Sequence, residues 1–154
     1  MEHLSSLWPI SDVPSQCISI YDGPEEFLRE YSAASPVHQT IFAACWFQGE
    51  FLNGGLTQFF GNSTGVLAPE AVEACKVLNM PRLATKLQEA IDWFDSPYPR
   101  EREAREARLE DFAETHEQDQ EPFDALDEEI GNLIYEEGPG LEASALAYVK
   151  RFSS

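Results

Sequence analysis

The stretch Pro36–Phe60 would read as one long apolar helix but for Asn53-Gly54-Gly55 in its middle. Val37, Ile41, Ala44, Cys45 and Leu52 recur at three-to-four spacing, and Trp46 and Phe51 widen the face. An apolar face that broad belongs to a helix at the centre of a core. Asn53 and Gly54 suit the left-handed turn that ends a helix, so the spacing predicts one helix to Leu52 and a short one over Leu56–Phe60. The chain stops again at Gly61-Asn62-Ser63-Thr64-Gly65. Each break leaves backbone groups without helical partners, so the rest of the chain must fold around it.

The other helices announce themselves by their first turns. Pro24-Glu25-Glu26 places proline first and acids at the positive end of the helix dipole, with Phe27, Leu28 and Tyr31 as a core stripe. Ser35-Pro36 is a cap followed by a first-turn proline. Pro69 opens a helix with Val72, Cys75 and Leu78 inward; Asn79 ends it and Pro81 opens the next, carried by Leu83, Leu87, Ala90, Ile91 and Phe94. After Pro99 come strong helix formers with a thin apolar stripe of Ala104, Leu109 and Phe112, which predicts a largely exposed helix. Pro122 starts another with Phe123, Leu126, Ile130, Leu133 and Ile134 inward. Gly138-Pro139-Gly140 breaks it, and a last helix carries Leu141, Ala145, Tyr148, Val149 and Phe152. Cys17–Tyr21 is at most a short extended piece. The expected class is all-α: a compact single-domain helical bundle of about seven or eight helices over residues 24–154, with residues 1–23 an irregular N-terminal arm packed on it.

Charge is the outlying feature. The chain has 28 carboxylates against 10 Lys and Arg, a net of -18. Such a surface repels nucleic acid and anionic membranes and attracts basic partners. The distribution is uneven: residues 109–154 hold 13 acids and two bases, and Leu109–Tyr148 contains no Lys or Arg. The one basic cluster is Arg100, Arg102, Arg105 and Arg108, read as intrahelical pairing with neighbouring glutamates or as docking on acids of another helix or subunit. No apolar run is long enough to span a membrane. The start of the chain lacks a basic segment followed by an apolar one, and Cys17, Cys45 and Cys75 are widely spaced, so a cytoplasmic protein with reduced thiols is expected. His3, His38 and His116 are isolated, and no nucleophile, phosphate-loop or metal motif is present; no enzyme, cofactor or metal is expected.

One stretch is distinctive beyond its helix grammar. Glu50-Phe51-Leu52-Asn53-Gly54-Gly55, then Gln58-Phe59-Phe60 and Asn62-Ser63 with Gly65, resembles the signature of a family of small, mostly bacterial domains whose described member is a DNA-mimic protein. Leu56 stands where the family usually has phenylalanine, one core residue for another. The resemblance extends over roughly residues 25–152. It implies an all-helical fold and a homodimer. In the described member, surface carboxylates imitate the phosphates of duplex DNA and occupy the DNA-binding face of a transcriptional regulator.

Two sets of residues are therefore candidates. Glu50, Asn53, Gln58 and Asn62, with Gly54, Gly55, Phe59 and Phe60 around them, form either a polar pocket with Glu50 as base or a set that repairs the broken backbone; the second reading is preferred, because nothing nearby completes an active site. Glu110, Asp111, Glu114, Glu117, Asp124, Asp127, Glu128 and Glu136 can form rows at helix spacing, with neighbours about 5–6 Å apart, joined by Glu2, Asp12, Glu25, Glu26 and Glu30. Acidic runs are usually solvated faces, but such faces carry interspersed lysines, and this one does not. The expected function is occupation of the basic surface of a DNA-binding protein, with no direct contact to nucleic acid. The alternatives are a scaffold module whose acidity serves solubility and a small-ligand binder built on the Glu50 set.

Overall fold

Proline and its neighbours set the helix starts. In the computed structural model, which describes residues 18–117 and 120–152, α1 (Pro24–Ala33), α2 (Pro36–Gly61) and α4 (Pro81–Asp92) each begin on proline. Ser35 caps α2 by accepting from His38 N at 3.3 Å. A 3₁₀ turn (Ser63–Leu67) leads from α2 into α3 (Ala68–Val77), and Asn79, at φ 61°, turns the chain into α4. Then follow α5 (Arg102–Thr115), α6 (Asp124–Glu136) and α7 (Leu141–Phe152). The described residues thus hold seven α-helices and no strand, an all-α fold in which α2 is central. It packs against α3, α5, α6 and α7, while α4 lies on α3 and α6.

The break in α2 is one residue later than its sequence suggests. Gly54 keeps a negative φ of -158°, and the left-handed residue is Gly55, at φ 74°. A side chain at Gly55 would be strained by that φ and would also press on the Asp127 carboxylate, whose atoms lie 3.1–3.3 Å from the position of a Cβ. Beyond the break the helix resumes, and Leu56, Phe59 and Phe60 are fully buried. The Phe60 ring lies 4.8 Å from Phe94, 5.2 Å from Phe59 and 5.4 Å from Phe123, and Phe59 meets Phe47 edge-on at 5.2 Å. Each such pair adds about 0.5–1.5 kcal/mol beyond the area it buries. The break therefore turns the chain so that a second set of aromatics fills the same core.

Two stripes expected from the sequence shift. In α1, Phe27 is buried but Leu28 faces solvent. In α5, Ala104 is exposed and Leu109 and Phe112 are half-buried; the one fully buried residue is Arg105. Of the N-terminal arm, residues 1–17 lie outside the described residues, and with them Glu2, His3, Asp12 and Cys17. Residues 18–23 are irregular, and Ile18 and Ile20 are buried in the core. Among the described residues, no helix is long and apolar enough to cross a membrane, and no three His, Cys, Asp or Glu side chains are grouped to hold a metal. Cys45 and Cys75 are buried free thiols, and burial pushes both up to about 12, far from a reactive thiolate.

Candidate functional site

The Glu50 set is closed on itself. Its carboxylate accepts from Gln58 Nε2 at 2.7 Å, Asn62 Nδ2 at 3.2 Å and Thr64 Oγ1 at 2.7 Å. Thr64, which the sequence did not single out, is the third partner; Asn53, which the three-residue spacing had grouped with Glu50, is exposed and stands outside. A side chain added at Gly54 would run into Gln58, so the glycine leaves Gln58 room to reach Glu50. These residues tie the two sides of the break and the following turn together.

The resumed segment Leu56–Gly61 has two ends to satisfy, and both are met from far along the chain. At its start, Leu56 N donates to Asp127 Oδ1 at 2.9 Å, from the first turn of α6. Burial pushes the Asp127 carboxyl up, while the Leu56 N–H pulls it down. Asp127 is thus half-buried and engaged, not a free surface charge as its place among the acids suggested. At the other end, the arginines of α5 take the carbonyls. Arg105 Nε donates to Phe60 O at 2.8 Å and its Nη2 to Asn62 O at 2.9 Å, while Nη1 donates to Pro99 O and Arg100 O. Arg102 Nε donates to Gly61 O at 2.9 Å. Carboxylate at the positive end and guanidinium at the negative end match the helix dipole.

The arginine cluster therefore does neither of the two things expected of it as a whole. Arg102 does pair with Glu106 at 2.8 Å within α5, and Arg100 reaches Glu70 of α3 at 2.7 and 3.0 Å. But Arg105 is buried against carbonyl oxygens, and the Arg108 guanidinium lies 3.7 Å over the Trp93 ring. Burial pulls the Arg105 guanidinium below its ordinary value, which is high enough that the group stays charged at neutral pH. Gly65 belongs to this arrangement: a Cβ there would lie 2.6 Å from Arg105 Nε and 3.0 Å from Phe59 O. The sequence signal for Arg105 was its spacing, since Arg105, Leu109 and Phe112 are three to four residues apart and share the inner face.

With Arg105 and Arg108 turned in and the exposed Arg102 close to their side of the helix, α5 is amphipathic in the sign of its charge. Successive residues are 100° apart around a helix, which puts Glu103, Glu110, Asp111 and Glu114 on the face away from Arg105, all exposed. Glu117 follows just past the helix end, also exposed. On α6, Asp124 and Glu128 share the outward stripe; Glu136, at the far end, instead lines a groove of about 680 Å3 with Arg82, Lys86 and Glu129. Among the described residues, none of Glu110, Asp111, Glu114, Glu117, Asp124 and Glu128 has an ion-pair partner. Of the further acids, Glu26 and Glu30 pair with Arg29 on α1, and Glu25 is exposed.

The family model described as DMP19-like protein matches residues 32–151, more than three quarters of the chain. The chain belongs to the DMP19-like family. No curated protein and no solved structure matches it. The matched span of this DMP19-like chain takes in the broken helix, the Glu50 set, the arginines and both acid-bearing helices; most of α1 precedes it.

Proposed function

We propose that this DMP19-like protein is a non-enzymatic, cytoplasmic binding protein whose carboxylates stand in for DNA phosphates on a basic DNA-binding protein. One observation carries the reading: Arg105 and Arg108 of α5 turn inward on carbonyls and a ring, and the exposed Arg102 is tied to Gly61 O and Glu106 beside them, leaving the face opposite Arg105 purely acidic. Glu103, Glu110, Asp111 and Glu114 span about 17 Å of helix axis at a mean interval of about 5.5 Å, beside roughly 3.4 Å per charge along one strand of duplex DNA. Asp124 and Glu128 on α6 add a second row, and a homodimer would double both. The Glu50 carboxylate already accepts from three side chains that tie the break together, which favours a structural role over a catalytic one there.

The experiment is affinity capture from a bacterial lysate at low salt. The bait is compared with a variant carrying Glu110→Gln, Asp111→Asn, Glu114→Gln and Glu117→Gln. Retention of a DNA-binding protein by the native chain alone, released by moderate salt, is the expected result. Equal retention by both baits, or release that ignores salt, would assign the interaction to an apolar face and the acidity to solubility.

A further inference from the structure

The segment Leu56–Gly61 is held at its two ends by polar side chains of the two acid-bearing helices. Asp127 of α6 holds its first free N–H, and Arg105 with Arg102 of α5 holds its last carbonyls. The rigid spacer between these anchors is under two turns of helix, roughly 9 Å long. Arg105 is the one fully buried residue of α5, which is otherwise held by the half-buried Leu109 against the core, by Phe112 edge-on to Trp93 at 5.9 Å and by Arg108 over the same ring. The cradle on the α2 side is also built for this contact. The Glu50 set holds the turn that presents Phe60 O and Asn62 O, Gly65 leaves space for the guanidinium, and Gly55 leaves space for the Asp127 carboxylate.

We infer that Arg105 and Asp127 are positioning residues for the acidic surface: bracketing Leu56–Gly61, they set the placement of α5 relative to α6, and so the spacing at which a basic partner meets the two rows of carboxylates. The partner half of this inference rests on the function proposed above; the bracket half does not. It connects the two parts of the chain that the sequence had kept apart. The broken helix is the ruler for the charges, although it holds none of them.

Asp127 gives the sharper test, because its two possible roles separate. As a surface charge it is lost equally in Asp127→Asn and Asp127→Ala. As a bracket it is kept by Asp127→Asn, whose amide oxygen still accepts from Leu56 N, and lost in Asp127→Ala. The helix placement is read by electron–electron double resonance between nitroxides at Ala113→Cys on α5 and Ala125→Cys on α6, both exposed, in a background carrying Cys17→Ser; the buried Cys45 and Cys75 stay unlabelled. One narrow distance is expected for the native chain and Asp127→Asn, and a broadened distribution for Asp127→Ala and Arg105→Lys, with circular dichroism confirming that each remains helical. Affinity for the DNA-binding protein retained in the capture experiment should fall roughly tenfold in Asp127→Ala and stay within about twofold in Asp127→Asn. An unchanged narrow distance in Asp127→Ala would overturn the bracket. Equal loss of affinity in both Asp127 variants at unchanged distance would return Asp127 to the surface array. If no DNA-binding protein is retained, the proposed function fails, and the distance measurement still decides the bracket.

Discussion

Arg105→Ala is expected to lower the stability of this protein by about 3–4 kcal/mol, read as a drop in the urea midpoint at unchanged slope. The residue is fully buried and donates to four carbonyl oxygens. Two effects oppose each other. Burying a guanidinium is costly, so its removal relieves a desolvation penalty. Yet the buried carbonyl of Phe60 stays in place at the end of a helix, and a buried acceptor left without a donor costs about 1–3 kcal/mol. The second effect wins because the buried Phe60 carbonyl and the part-buried Pro99 and Arg100 carbonyls lose the guanidinium at once, while Asn62 O keeps the Gly65 N–H. Arg105→Met separates hydrogen bonding from packing: it fills most of the volume, restores no donor, and should be nearly as unstable as alanine. Arg105→Lys, with fewer donors and no planar fork, should fall between. A methionine variant as stable as the native chain would show that the residue merely fills space.

Glu50 gives the second large effect, and its sign separates a structural from a catalytic role. Glu50→Ala removes the common acceptor of Gln58, Asn62 and Thr64 and should cost about 2–3 kcal/mol. Glu50→Gln is nearly isosteric, but it replaces one accepting oxygen with a donating NH2 among groups that already donate, so about 1–2 kcal/mol should be lost there too. A catalytic base behaves otherwise. Its neutral isostere commonly leaves stability unchanged or improved, because active-site charges are held at a cost to the fold. Thermal and urea melts of the two variants decide between the roles, and a stabilised Glu50→Gln would revive the small-ligand reading.

What the sequence discloses follows from how local each cause is. The starts of α1, α2 and α4 were legible because a proline sits at each, and the stripe of α4 because five apolar residues keep helical spacing. The break at Asn53-Gly54-Gly55 was legible for the same reason, to within a residue. What closes it was not. Leu56 and its cap Asp127 are 71 residues apart, and the first turn of α4 is capped by Glu137, which accepts from Arg82 N and Leu83 N across 55 and 54 residues. Nothing local distinguishes a capping carboxylate from the solvated acids beside it, so the sequence alone places Asp127 with Glu128. Arg105 was obscured by a general tendency, since arginine is almost never fully buried unless paired, and here the pairing is with backbone oxygens that no side-chain pattern reveals. The Glu50 set is half legible: Gln58 and Asn62, which the sequence places beside it, both donate to its carboxylate, whereas Asn53 at helical spacing is exposed and Thr64, after the break, turns in.

Competition between this protein and DNA tests the proposed mimicry most directly. A labelled duplex bound to the captured DNA-binding protein is titrated with the acidic chain at two salt concentrations, and the duplex concentration is varied. Carboxylates in the place of phosphates require mutual exclusion: full displacement, an apparent inhibition constant that rises in proportion to the duplex, and weaker displacement as salt rises. A stable ternary complex of the captured protein with both duplex and acidic chain would contradict the proposed function.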